Sequence, residues 1–198
     1  MGFASTILTD KVLFGAVAMG VFATSCAAQE RQVVQVLGSA ERMCTLGLPG
    51  LGNGVAMNID AAGGSVFNVT QLTDDTLLTT QAARVTVDMS AMCNGVHRIS
   101  LGSDNNGLWR QQTGSTQSGF GYAVPYQANL VWADQQYVLT ADASTRGYVE
   151  DQLQVMRAAA GNISIEFEIS AGATNQGQNK PLLAGDYSDV LRLTVQPQ

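Results

Sequence analysis

Charge is scarce in this 198-residue chain, with Asp, Glu, Lys and Arg together making up 13%. The 10 basic residues face 16 acidic ones, a formal net charge of −6. A nucleic-acid partner requires a basic face, so that class is excluded. His97 is the single histidine. With no Cys-x-x-Cys spacing anywhere, the usual ligand sets of a metal centre are missing, and no cofactor is expected. Proline is down to 4 residues while glycine reaches 21. Convincing long helical patterns are absent. What is present is Thr, Val, Ser and Gly in repeated period-two alternation, the composition of an all-β secreted protein.

Residues 1–28 stand apart. Lys11 precedes an apolar run from Val12 to Ala23, and small residues Cys26 and Ala28 fall at −3 and −1 of a cleavage site before Gln29. Basic residue, apolar core and small residues in that order predict a secretory signal peptide. The run is near a dozen residues against the ~20 of a spanning helix, so no membrane span is expected once the signal is removed. A lipoprotein signal acylated at Cys26 is the alternative, but Ala23 stands where such signals carry Leu or Val.

Signal removal leaves two cysteines, Cys44 and Cys93. In an exported chain an even pair predicts a disulfide, and two cysteines permit one intramolecular connectivity. Closing a loop of about 50 residues is worth ~4 kcal/mol by chain entropy.

Alternation marks the strands. At the start of the mature chain, RQVVQVLG (Arg31–Gly38) predicts a short apolar strand, with Val34 and Val36 on one face and Val33 and Leu37 on the other. Met43–Leu48 predicts a second, PGLGNG a loop, Ala61–Ser65 a break, and Val66–Leu72 a third. Ala83–Cys93 alternates along its whole length, and Asn94-Gly95 predicts a hairpin into His97–Leu101. Gly102–Gly119 reads as a long polar loop. Phe120–Trp132 alternates around Pro125, which predicts an edge or bulge there. Tyr137–Thr140 predicts a short strand. Gln152–Met156 pairs on paper with Ile163–Ser170, although the helix formers in Tyr148–Arg157 leave a short helix as the alternative. In the last stretch, GDYSDVLRLTVQPQ, Tyr187, Leu191, Leu193 and Val195 share one parity and Pro197 closes the strand. Short strands with frequent turns predict a one-domain β-sandwich.

Four of these features occur together in one family. A strand-forming extension ends at Cys44; VTVDMSAMC closes on Cys93 before a small-residue turn; Phe120–Trp132 is aromatic-rich; and AGDYSDVLRLTV combines Gly-(Asp/Thr)-Tyr-x-Asp with an alternating strand. The chain thereby resembles the spore coat protein U domain of archaic chaperone–usher pilus subunits. YQAN at Tyr126–Asn129 departs from the family's aromatic–Asn arrangement, and Gly102–Gly119 has no counterpart there.

The resemblance implies an incomplete immunoglobulin-like β-sandwich completed by donor-strand complementation. Residues 29–40 would be the donor extension and residues 41–198 the pilin domain. Val33, Val34, Val36 and Leu37 would supply the inserting side chains; Tyr187, Leu191, Leu193 and Val195 would form the acceptor groove, facing Val85, Val87 and Ile165. The implied partners are a periplasmic pilus chaperone, an outer-membrane usher and neighbouring pilin subunits. The implied setting is the cell surface, reached through the periplasm, with a structural role in attachment and biofilm. Burying four aliphatic side chains at ~1.5–3 kcal/mol each gives roughly 6–12 kcal/mol before ordering costs.

The competing reading is a self-contained secreted β-sandwich, a coat or binding protein whose first strand pairs within its own chain. An enzyme finds no support in the residues. Asp186 and Asp189 fall on opposite parities and make no carboxylate pair, and His97 lacks a nucleophile context. Asn68 and Asn162 open glycosylation-type triplets that touch strands. Trp109, within Gly102–Gly119, is the one surface-binding candidate, with core packing as its alternative.

Overall fold

A computed structural model describes residues 35–54, 56–63, 65–112 and 116–198; the expected signal peptide and the donor residues Val33 and Val34 lie outside them. The chain divides into Met1–Ser39 and a compact unit, Ala40–Gln198. Residues 35–39 of the first are exposed and outside any strand. Val36 and Leu37, expected in a strand, are 91% and 89% exposed.

The compact unit is all β among the described residues, and every strand pair in it is antiparallel. Its strands are β1 (Cys44–Leu46), β2 (Gly50–Leu51), β3 (Ile59–Gly63), β4 (Val66–Val69), β5 (Ala83–Cys93), β6 (His97–Ser103) and β7 (Leu108–Arg110). They continue with β8 (Ala123–Val124), β9 (Tyr126–Trp132), β10 (Gln135–Ala141), β11 (Val149–Val155), β12 (Ala159–Ile169), β13 (Tyr187–Ser188) and β14 (Leu191–Pro197). The larger sheet runs β1-β5-β12-β9-β10, with β2 also paired to β5. A second sheet, β11-β6-β14, supplies the facing layer, while β13-β7-β8 and the β3–β4 hairpin are smaller pieces.

Period-two alternation explains the layering. Along β5, Ala83, Val85, Val87, Met89, Ala91 and Cys93 are buried, and the intervening residues are not. Ile163, Ile165 and Ile169 of β12 and Ala128, Leu130 and Trp132 of β9 point the same way. Ile99, Leu101 and Val155 come from the other layer, and these aliphatic and aromatic side chains join in one cluster. Two sheets sharing one core by their inner faces is the sandwich arrangement.

Several local expectations are corrected. β5 and β6 do not form a hairpin, because they lie in different sheets. Asn94–Val96 arches over the top of the core, so the two apolar faces meet across it instead of side by side. Asn94 is held there by accepting from the Met43 amide (2.8 Å) and donating to the Glu41 carbonyl (2.7 Å). In the same way β11 pairs with β6 and not with β12, and Tyr148–Arg157 contributes a strand and no helix.

Gly102–Gly119 is no plain loop. It carries the end of β6, the buried Asn106, and β7. Trp109 there is half-buried against Tyr122, with ring centroids 5.7 Å apart. Ala61–Ser65 is not a break but the heart of the β3–β4 hairpin, which accommodates its turn by a register shift between Ala61 and Gly63. PGLGNG contains β2. Pro125 does interrupt its segment: β8 pairs with β7, and one residue beyond the proline β9 enters the larger sheet. The last strand is also split, with Tyr187 in β13 pairing with Arg110 and Leu191 opening β14 on β6.

His97 has a structural role. It is wholly buried, its Nε2 accepts from Trp132 Nε1–H at 2.8 Å, and its Nδ1 lies 2.9 Å from the Gly95 carbonyl. Both bonds are satisfied by the neutral ring with its proton on Nδ1.

Candidate functional site

β14 has β6 on one side, in a register that sets Leu193 against Leu101 and Val195 against Ile99. On its other side no strand pairs with it among the described residues. Leu191, Leu193 and Val195 are half-buried against the core, whereas their partners Leu101 and Ile99 are fully buried. Tyr187 also packs against the core, but from β13, with its hydroxyl donating to the Leu183 carbonyl at 2.7 Å. The four residues grouped by parity therefore come from two sheets, and only three lie on the free-edged strand.

The opposite wall was not legible as such. β1 and β2 form the outer edge of the larger sheet, with Leu46 opposite Ala91 and Leu51 opposite Val87. Directly opposed residues share a face, so both leucines lie on the core side of the sheet. Yet Leu46 is 43% exposed and Leu51 54%, against 6% and 9% for their partners. Inner-face leucines left open to solvent mean that the facing layer stops short of them.

Glycine makes this edge possible. The segment follows β5 closely, with Gly47 N–H donating to the Ser90 carbonyl (2.7 Å) and Gly52 N–H to Thr86 (2.8 Å). A Cβ at Gly47 would come within 2.3 Å of Ser90 Oγ, and one at Gly54 within 2.1 Å of Thr86 Oγ1. Outer-face side chains of β5 occupy that space, so a side chain at either position would require Ser90 or Thr86 to shift.

The Cys44–Cys93 disulfide is present and joins directly paired residues of β1 and β5. It therefore pins the start of this wall. His97 lies within 4.8 Å of both sulfurs, making the three a potential ligand group by type. The sulfurs are bonded to each other and both ring nitrogens are engaged, so they hold no metal in this arrangement.

Where β13 passes into β14, Asp189 collects five hydrogen bonds. Oδ2 accepts from Ser103 Oγ (2.5 Å) and from Tyr126 OH (2.7 Å). Oδ1 accepts from the amides of Asn105 (2.9 Å) and Val190 (2.8 Å), and from Asn105 Nδ2 (3.1 Å). Burial above all pushes the Tyr126 hydroxyl far above the usual tyrosine range, so it remains a donor. On the outer face Arg192 grips Asp104 through two contacts of 2.6 and 2.7 Å, and that hydrogen bonding lowers the carboxyl's pKa.

The Gly-Asp-Tyr preceding these is anchored separately. Asp186 N–H donates to Gln112 Oε1 (3.0 Å) and Gln112 Nε2 donates back to Asp186 Oδ2 (2.9 Å). Asp186 and Asp189 thus serve different hydrogen-bond networks. No protein-family model matches the chain, and no curated protein matches it.

Proposed function

We propose that this protein is a structural subunit of a secreted pilus of the chaperone–usher type, polymerising by donor-strand exchange. The observations that support the reading are the unpaired side of β14 and the exposed inner-face leucines of β1 and β2 at the edge of the larger sheet. A strand laid between β14 and β1–β2 would satisfy unpaired backbone groups and cover Leu46, Leu51, Leu191, Leu193 and Val195 in one step. Such a groove is an immunoglobulin-like sandwich short of one strand.

The apolar segment Gln32–Gly38 has the composition to fill it from a neighbouring molecule. Alternate residues, Val34 and Val36 or Val33 and Leu37, would enter while the others face out. In the cell the groove would first be occupied by a periplasmic chaperone and then, at an outer-membrane usher, by the next subunit. No catalytic residue is required. Paired backbone and buried aliphatic area make the joint long-lived, and a surface fibre of this kind supports attachment and biofilm formation.

Co-expression with a periplasmic pilus chaperone, with and without residues 29–40, tests the reading. A one-to-one complex in both cases and fibres only with the extension are expected. A stable soluble monomer that ignores the chaperone and folds equally well without residues 29–40 would instead identify a self-contained secreted sandwich.

A further inference from the structure

We propose that Asp189 is a positioning residue for the acceptor edge, locking β14 in register on β6 so that its free side is preformed for an incoming strand. The proposal rests on the donor-strand reading and adds to it the group that sets the geometry of the groove.

The need for such a group follows from the side-chain period of a strand. A one-residue slip of β14 along β6 would turn Leu191, Leu193 and Val195 outward and is opposed by their burial. A two-residue slip keeps the same face inward, and hydrophobic pattern does little to forbid it. It would nevertheless move every backbone group and side chain that a donor must meet. Asp189 removes that degeneracy. Ser103, its hydroxyl donor, is also the residue opposite Leu191 at the start of the β14–β6 register. Tyr126, its second donor, stands on β9 in the other layer, so one carboxylate ties both layers to the entry of the edge strand. Ser103 and Tyr126 are 0% and 3% exposed, which shelters these bonds from water. The Arg192–Asp104 pair also favours this register, but Arg192 is 61% exposed and such pairs contribute little.

Two substitutions isolate the effect. Tyr126→Phe removes the cross-layer donor and keeps the ring that packs on Phe167, 4.7 Å away between centroids. Asp189→Asn keeps one acceptor oxygen for the Asn105 amide and replaces the oxygen that serves Ser103 and Tyr126. Ile163→Val, a trimmed core residue on β12, is the control for loss of stability alone.

The probe is a synthetic peptide of residues 29–40, binding to the full chain and followed by association and dissociation rates, with hydrogen exchange of the β14 amides in the free protein. Both clamp variants are expected to lose β14 protection and to associate about tenfold more slowly, the scale of one lost buried hydrogen bond. Dissociation should change less than twofold, because a bound donor itself holds β14 in place. An unchanged association rate in Asp189→Asn overturns the proposal, as does an equal slowing in Ile163→Val. If the peptide binds none of the proteins, the donor-strand reading fails and the acceptor role of Asp189 falls with it. Binding of the wild-type peptide with unaltered kinetics in the variants rejects the positioning role alone.

Discussion

Replacing both Leu46 and Leu51 by serine should cost the free protein about 1.5–3 kcal/mol of stability, from the half of each side chain already covered, and weaken its hold on a donor strand by a like amount. A leucine fully removed from water contributes about 1.5–3 kcal/mol. These two are already 43% and 54% exposed, so roughly half of that remains to be gained when something covers them. The pair then contributes about 1.5–3 kcal/mol to donor binding, or roughly 10- to 150-fold in Kd. The comparison is Leu101→Ala, a wholly buried residue on β6 paired with Leu193 of β14, whose truncation should cost about 2–5 kcal/mol of folding stability. Chemical denaturation measures the first quantity and calorimetric titration with the residue 29–40 peptide the second. If the double serine variant loses more stability than Leu101→Ala and binds the peptide unchanged, the leucines are core residues and the groove is already filled. If it loses only the expected stability and its peptide affinity is unchanged, the donor strand does not lie along β1–β2.

Three further outcomes are expected. Reducing the Cys44–Cys93 bond, which closes a separation of 49 residues, should lower stability by about 4 kcal/mol, read as a shift in urea midpoint with and without reductant. In His97→Leu the indole N–H of Trp132 is left buried without an acceptor, at about 1–3 kcal/mol; adding Trp132→Phe should restore part of this in a double-mutant cycle. Acid should weaken the fold. Asp74 is held at about 2, chiefly by the Leu77 amide and the Thr79 hydroxyl, while Arg192 lowers Asp104 and Ser144 lowers Asp142. Each carboxylate binds its proton more readily in the unfolded chain, where Asp titrates near ~3.9, so their stabilisation is present above that pH and is lost as pH falls toward the folded values. Urea midpoints measured from pH 5 to pH 2 should decline, and Asp74→Asn should flatten the lower part of that decline.

How much of this was legible depends on how local each feature is. β5 and β12 declare themselves because burial on one face writes an alternation into consecutive residues, and Val85, Val87, Ile163 and Ile165 stand where that alternation puts them. The parity of Leu191, Leu193 and Val195 was legible for the same reason. The sheet each strand joins was not. His97–Ser103 and Val149–Val155 carry the same signal whether they pair with a sequence neighbour or cross to the other layer. Tyr187 shares its parity with Leu191, but two residues, Asp189 and Val190, are enough to move the chain from one sheet to another.

The β1–β2 edge of the larger sheet was the least legible feature. Pro49–Gly54 has the glycine content of a loop, yet Gly52 and Gly54, like Gly47 before them, lie close against the outer-face side chains of β5. Met43–Leu48 was legible as a strand, and β1 lies within it, but Leu51 reads as a loop residue until Val87 is seen opposite it. Asp189 stood out only as part of the Gly-Asp-Tyr-x-Asp motif, and its hydrogen-bonding role was not legible. A lone aspartate in a strand is ordinary, and its donors Ser103, Asn105 and Tyr126 lie 63 to 86 residues away.

By itself, then, the sequence determined the class of fold, the cysteine pair and the inward parity of the final strand, because alternation and cysteine count are properties of the chain read in order. Only the tertiary structure decided which strands pair, that β14 stays unpaired on one side among the described residues, and that Leu46 and Leu51 lie on the inner face of the larger sheet yet remain exposed. Pairing is a choice among distant segments with nearly equal local signals, and packing of the whole core makes that choice.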